Sequence, residues 1–241
     1  MIRFLKIAFL FVFFSVFLFL SGCYDEHQPA PVIDAWYQKG AASNFYIVRH
    51  EDTIYSVAFA FGLDYRDLVA ANHLSPPYII KPGQRLVMTH RPPNSQPISQ
   101  ASSYQTFRAP IVNTQSSVRF NGRWIWPAKG RLLQTFSRNP AGHPGISIGG
   151  YLGEPIRAAA SGVVVYSGDG VRGYGNLIIV KQNDSYLSAY AFNRQNLVSV
   201  GDHVRAGNII ARMGQNDAER TLLYFEIRRN GVPINPLIFL K

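Results

Sequence analysis

The C-terminal half of the chain consists of short β-prone runs separated by glycine-rich turns, and this pattern restricts the fold more than any other feature. Residues 162–166, 177–180 and 209–213 are rich in valine, isoleucine and other β-formers. Glycine or Asn-Asp turns separate these runs, and no segment has a long helical period. Many short strands over about 120 residues predict a mainly β domain, built as a curved antiparallel sheet or a barrel-like sandwich, at residues 120–241.

Residues 44–89 have a different pattern. A β-prone run opens the segment, and the apolar residues after it have the i, i+3, i+4, i+7 spacing of one helix face. Asp52-Thr53 and Asp64 stand where two helices would begin, because their side chains can cap exposed helix amides. A Lys-Pro-Gly-Gln turn then precedes a short final strand. The segment therefore predicts a small α+β module with the order β-α-α-β.

The first 22 residues have the pattern of an export signal. A short basic start precedes an apolar run at residues 7–20, which is shorter than the roughly 20 residues of a membrane span. The Leu-Ser-Gly-Cys sequence that ends at Cys23 resembles the lipobox of bacterial lipoproteins, whose cysteine is lipidated and becomes the new N-terminus. Tyr24 follows, where an inner-membrane retention signal would have aspartate, so the resemblance implies an outer-membrane lipoprotein on the periplasmic face. The alternative is an ordinary cleaved signal, or an anchor, in which Cys23 is incidental.

Two further segments are predicted to be connectors. Residues 23–43 are polar, contain two prolines and show no sustained apolar period, so we expect a tether. Residues 90–119 are rich in serine and glutamine and contain no acidic residue, so we expect a flexible linker that lets the two modules move independently.

The net charge of +10 admits several anionic partners but does not choose among them. Residues 44–89 are balanced, with four basic and four acidic side chains. Residues 120–241 carry 14 lysines and arginines against 7 acidic residues, so the positive charge belongs to the C-terminal domain. We expect no nucleic-acid partner.

The residues of the small module resemble those of a LysM domain, above all Tyr-Ile-Val at 46–48, Asp-Thr-Ile at 52–54 and Lys-Pro-Gly-Gln-Arg-Leu at 81–86. The resemblance implies binding of N-acetylglucosamine-containing glycans in a shallow groove, and hence of peptidoglycan. Glu51 replaces a glycine that is usual in the family. The alternative is that Asp52 and Thr53 only cap a helix and that the module is a spacer. The implied glycan-binding residues are Asp52, Thr53, Ile54, Ile79 and Ile80.

The C-terminal domain resembles the LytM-type (M23) metallopeptidases along its whole length. The matching segments include Gly-His-Pro-Gly-Ile-Ser-Ile at 142–148, Gly-Tyr-Gly-Asn-Leu-Ile-Ile at 173–179 and Tyr-Phe-Glu-Ile-Arg at 224–228. Active members hold zinc with two histidines and an aspartate, and two further histidines assist the zinc-bound water.

Most of these functional positions have lost their chemistry. The ligand positions fall on His143, Ser147 and Tyr224, and the assisting positions fall on Phe192 and Leu222. A neutral serine is a poor zinc donor, and neither phenylalanine nor leucine accepts a proton. We therefore expect no catalysis, no metal and no cofactor, with His143 as a vestigial position.

The lost ligands leave aromatic and apolar side chains, which suit a groove that binds a protein segment. Three arginines, at positions 172, 228 and 229, could steer an acidic partner toward it. The alternative is that the aromatic side chains only fill the vacated pocket as core. The predicted groove consists of Arg172, Tyr174, Tyr190, Phe192, Leu222 and Tyr224.

The order of lipobox, LysM module, linker and degenerate LytM domain resembles the NlpD family of outer-membrane lipoproteins, and residues 172–179 and 186–191 are especially similar. The resemblance implies a non-enzymatic activator of periplasmic N-acetylmuramoyl-L-alanine amidases, which split septal peptidoglycan in cell division. In that family the groove displaces an inhibitory helix from the amidase zinc site. The alternatives are a structural tether between outer membrane and peptidoglycan and a residual zinc endopeptidase.

Overall fold

The computed structural model describes residues 45–88, 120–138 and 144–241. The signal sequence, Cys23, the tether, the linker and His143 lie outside the described residues. Within the described ranges, no helix is long and apolar enough to cross a membrane.

The small module has the predicted β-α-α-β order. Strand β1 (Phe45–Ile47) pairs antiparallel with β2 (Arg85–Val87), and helices α1 (Ile54–Ala60) and α2 (Tyr65–Ala71) lie between them in sequence. Thr53 caps α1, because its hydroxyl accepts from the amide of Ser56 while the Ser56 hydroxyl accepts from the amide of Thr53.

The larger domain is mainly β, as predicted. Apart from a 3₁₀ turn at Pro236–Ile238, its described elements are strands. They are β3 (Leu132–Gln134), β4 (Ile146–Gly149), β5 (Pro155–Arg157), β6 (Gly162–Gly168), β7 (Asn176–Lys181), β8 (Tyr186–Asn196), β9 (His203–Val204), β10 (Ile209–Gln215), β11 (Thr221–Arg229) and β12 (Val232–Ile234).

In the described part of the chain these ten strands form one antiparallel sheet. The order of neighbours is β3-β4-β11-β10-β8-β7-β6-β9, and β11 also pairs with β8 and β12. Strand β11 therefore lies at the centre, between β4 on one side and β8 and β10 on the other. Its central position explains why seven of its nine residues, 222–228, are buried.

The two faces of β11 pack against different clusters, because successive side chains of a strand point to opposite faces. Leu223, Phe225 and Ile227 belong to the main core of the larger domain. Leu222 and Tyr224 belong to a second cluster, which also contains Phe59 of α1. The small module thus packs directly on the larger domain, and the expectation that the two modules move independently does not describe this structure.

Candidate functional site

The candidate site is the outer face of β11, where Leu222, Tyr224, Glu226 and Arg228 follow one another at alternate positions. All four side chains are buried. The neighbouring strand β4 brings Ser147 opposite Tyr224 in the register, so the two predicted ligand positions adjoin each other.

The donors at this position do not fit a zinc ion. The Tyr224 hydroxyl donates to Oε1 of Glu226 at 3.0 Å. Burial, followed by the charge of Glu226, raises the pKa of Tyr224 well above its ordinary value, so the side chain stays a neutral phenol. Across the described ranges, no group of three or more histidine, cysteine, aspartate or glutamate side chains could hold a metal ion.

Aromatic side chains surround Tyr224 on this face. The ring centroid of Tyr174 lies 6.0 Å from that of Tyr224, and the ring of Phe192 lies 6.2 Å away on an edge-to-face contact. Leu222 packs in the same cluster. We call these four residues, Tyr174, Phe192, Leu222 and Tyr224, the aromatic floor. Of the other predicted groove residues, Arg172 is exposed in the loop before Tyr174.

Tyr190 does not join the aromatic floor. It is completely buried in the main core, where its ring lies 5.2 Å from that of Phe225 and its hydroxyl accepts from the amide of Ala159 at 2.8 Å. Simple alternation along β8 would place Tyr190 and Phe192 on one face. Phe192, however, has a φ of 61°, and this left-handed residue turns its side chain to the opposite face.

A buried ion pair continues the floor along β11. Arg228 Nε lies 2.8 Å from Oε2 of Glu226, and the hydroxyl of Tyr174 donates to Oε1 at 3.1 Å. Burial, the largest single effect, works against the charged arginine, but the Glu226 carboxylate together with Tyr174 and Tyr224 outweighs it and raises the pKa of Arg228. The prediction that Arg228 steers a partner is therefore wrong, because this side chain is buried and paired. The signal for the pair was the i, i+2 spacing that continues from Leu222 and Tyr224.

Helix α1 of the small module covers the end of this face where Arg228 and Tyr174 lie. The ring of Phe59 lies 5.2 Å from that of Tyr174, edge to face, and the guanidinium carbon of Arg228 lies 3.6 Å from the centre of the Phe59 ring. Nη1 of Arg228 also donates to the carbonyl oxygen of Phe59 at 2.6 Å. Tyr55 and Ala60 extend the contact.

Polar contacts lie beside this apolar centre. The hydroxyl of Tyr65 donates to Oδ1 of Asp184 at 3.3 Å, and Nη2 of Arg66 donates to Oδ1 of Asn230 at 2.8 Å. Gly231, at the turn between β11 and β12, approaches the backbone of residues 63 and 64 so closely that an added Cβ would lie 2.6 Å from it.

The predicted glycan-binding residues divide into exposed and structural positions. Ile79 is 70% exposed, whereas Ile54 and Ile80 belong to the core of the small module. Oδ2 of Asp52 accepts from the hydroxyl of Tyr46 and from the amide of Arg49, each at 2.7 Å, so it fixes the first loop.

Glu51, in the same loop, has a φ of 68°. Glycine is favoured at a left-handed backbone position. A residue with a side chain there reduces the free energy of unfolding by about 1 kcal/mol. The backbone thus keeps the conformation that a glycine would adopt most easily.

Comparison with known proteins identifies both modules. Residues 141–236 match Peptidase family M23, and residues 46–89 match the LysM domain. The chain is 39% identical to a Lipoprotein NlpD/LppB homolog of Pseudomonas aeruginosa, a match that covers 90% of this chain and 82% of that protein.

Two proteins of Escherichia coli are also similar. The uncharacterized lipoprotein YgeR is 35% identical, with 94% of this chain and 90% of that protein covered. The murein hydrolase activator NlpD is 32% identical, with 84% of this chain and 69% of that protein covered. With these identities over most of each sequence, and with a LysM module followed by an M23-like domain, the chain belongs to the NlpD/LppB family of lipoproteins.

Proposed function

We propose that the protein activates murein hydrolases and has no hydrolytic activity of its own. Its targets are periplasmic N-acetylmuramoyl-L-alanine amidases that split septal peptidoglycan. Relatives that share about a third of its residues are named murein hydrolase activator NlpD, which supports this role.

One observation carries the proposal: the centre of the M23-like sheet presents an aromatic floor where a zinc hydrolase needs ligands and a base. Leu222 has no lone pair to offer a metal, and the Tyr224 hydroxyl donates a hydrogen bond to Glu226. Ser147 is a neutral hydroxyl beside them. Such a face can bind a partner through buried aromatic contacts, although it lacks the groups that activate water.

The rest of the chain brings this face to its target. The LysM module binds peptidoglycan, with Ile79 as its exposed apolar contact, while Asp52 fixes the first loop and Thr53 caps α1. A lipid on Cys23 anchors the chain in the outer membrane on the periplasmic face. The names of relatives as lipoproteins, among them outer membrane antigenic lipoprotein B, support this location.

A reconstituted assay tests the proposal. Dye-labelled sacculi are incubated with the mature protein, with a cognate amidase, and with both together. We expect no dye release by the protein alone and faster release when it is added to the amidase. Chelator-sensitive cleavage of cross-linked peptides by the protein alone would show a zinc endopeptidase and contradict the proposal.

A structural tether is the remaining alternative, since it requires only Cys23 and the LysM module. Cells that express the chain without residues 120–241 distinguish the two roles. We expect these cells to fail to separate, because the aromatic floor is lost. Normal separation would favour the tether.

A further inference from the structure

We infer that helix α1 of the LysM module is an internal occupant of the aromatic floor, and that a partner helix with an aromatic side chain in its last turn must replace it. The inference rests on the proposed function, because it concerns the same face. It identifies the element that covers the face and the kind of partner segment that displaces this element.

The side chain of Phe59 has no role in the core of its own module. That core takes Ile54, Val57 and Ala58 from α1, which lie on one side of the helix. Phe59 points to the other side and is only 2% exposed because the larger domain covers it. A phenylalanine there would otherwise expose its ring to water, so its position is explained by the contact with Tyr174 and Arg228.

Helix α1 also supplies a hydrogen-bond acceptor to the polar end of the face, where Glu226 and Arg228 lie. Phe59 lies in the last turn of α1, and its carbonyl oxygen accepts from the amide of Gly62 at 3.2 Å, which leaves one lone pair for a second donor. Arg228 donates to the Phe59 carbonyl while it pairs with Glu226. A guanidinium so placed recognises a helix end, since the carbonyl end of a helix attracts a cation. An external helix that brings an aromatic ring and a terminal carbonyl together would satisfy the same two groups.

The contact has the anatomy of a separable interface. Its centre is a small aromatic cluster around Phe59, and polar side-chain pairs lie beside it, Tyr65 with Asp184 and Arg66 with Asn230. A small apolar centre beside such polar contacts is typical of interfaces between modules that part and rejoin. While α1 occupies the face, only the open fraction of molecules can bind a partner, so the apparent affinity for the amidase is reduced by that fraction.

Two independent substitutions open the face. Phe59→Ala removes the occupant's side chain. Gly231→Asn places a side chain against the backbone of residues 63 and 64, where an added Cβ would lie 2.6 Å away. Gly122→Asn is the matched control, because Gly122 also follows an asparagine and has a φ of 77° against 76° for Gly231, yet an added Cβ there meets nothing within 4 Å.

The experiment uses the full mature chain and two measurements. Without amidase, the labelling rate of a thiol introduced as Ala60→Cys reports whether α1 leaves the larger domain. Ala60 is a suitable position because it packs against the second cluster, which contains Leu222 and Tyr224. With amidase and dye-labelled sacculi, the concentration for half-maximal activation reports whether the face is available. We expect Phe59→Ala and Gly231→Asn to lower that concentration about tenfold and Gly231→Asn to speed labelling. The Gly122→Asn variant should match the parent in both.

The outcomes separate the inference from the proposed function. Activation that occurs with the parent but improves in neither opening variant overturns the inference and leaves the function standing. Equal labelling in the parent and in Gly231→Asn also overturns it, since α1 would then not be held closed. Faster labelling with no activation by any variant overturns the proposed function and leaves α1 as a cover without a regulatory role.

Discussion

Arg228 and Phe59 are 169 positions apart in the sequence, yet Nη1 of Arg228 donates to the Phe59 carbonyl oxygen at 2.6 Å. The same guanidinium lies against the Phe59 ring and binds the buried carboxylate of Glu226 through Nε. One side chain therefore joins the candidate site of the M23-like domain to the LysM helix that covers it.

The Arg228→Met substitution should reduce the free energy of unfolding by about 3 kcal/mol, because it leaves the buried Glu226 carboxylate without its cation. Urea unfolding measures the loss. Adding Glu226→Gln should restore part of it, since the neutral amide can still accept from the tyrosine hydroxyls. Arg229→Met, at the exposed neighbouring position, should change stability by less than about 0.5 kcal/mol. Equal stability of the single and double variants would contradict the prediction.

Tyr174 should act as the anchor for the partner. In the background of Phe59→Ala, which removes the ring that contacts Tyr174, adding Tyr174→Ala should raise the amidase concentration for half-maximal activation by tenfold or more, because buried aromatic anchors dominate binding energy. Sacculus binding should not change. Tyr151→Ala in the same background is the control, since Tyr151 is 66% exposed in the same domain. Equal activation by Phe59→Ala alone and by the two double variants, with Tyr174→Ala or with Tyr151→Ala, would exclude the aromatic floor as the docking surface.

The stability of the larger domain should fall at high pH through Tyr190. Burial raises the pKa of Tyr190 to about 12. Because the unfolded chain loses this proton near pH 10, the contribution is complete below pH 10 and disappears as the pH rises toward 12. A difference of two units corresponds to about 3 kcal/mol.

Urea unfolding between pH 9 and about pH 12 tests this dependence on the tyrosine's ionisation. The Tyr190→Phe variant lacks the ionisable hydroxyl, so the stability gap between it and the parent should narrow across this range. A gap that stays constant would show that Tyr190 does not titrate differently in the folded and unfolded chains.

Ile79 should contribute to peptidoglycan binding. Its side chain is 70% exposed, so Ile79→Ser removes an exposed apolar group without disturbing the core. We expect about tenfold weaker cosedimentation with sacculi, equivalent to about 1.4 kcal/mol. Ile238→Ser is the matched control, because Ile238 is 72% exposed on the larger domain. Equal loss in both variants would remove Ile79 from the glycan site.

Local sequence patterns predicted the elements of both modules. The β-α-α-β order follows from helical spacing and from the caps Thr53 and Asp64, which are local effects of a few residues. The all-β domain follows from the absence of a helical period and from its turns. In both modules the short-range preferences agree with the final fold, which is why a reading of the residues alone suffices.

Long-range and strained features were beyond such a reading. Tyr190 was wrongly assigned to the groove because Phe192 adopts a left-handed backbone conformation. The identity of an aromatic residue does not predict a positive φ. The role of Arg228 depends on a helix far away in sequence. One signal was available, because Phe59 is a large apolar residue off the apolar face of α1, and such a residue requires a partner surface.

The hydrogen bonds of Glu226 determine what a partner meets when α1 leaves. Its carboxylate accepts from Tyr174, Tyr224 and Arg228, all of which belong to the M23-like domain. Two of the four floor side chains therefore keep their rotamers without help from the LysM module. An incoming helix finds a preorganised receptor and loses less conformational entropy in ordering it, so even a short segment can bind tightly enough to compete.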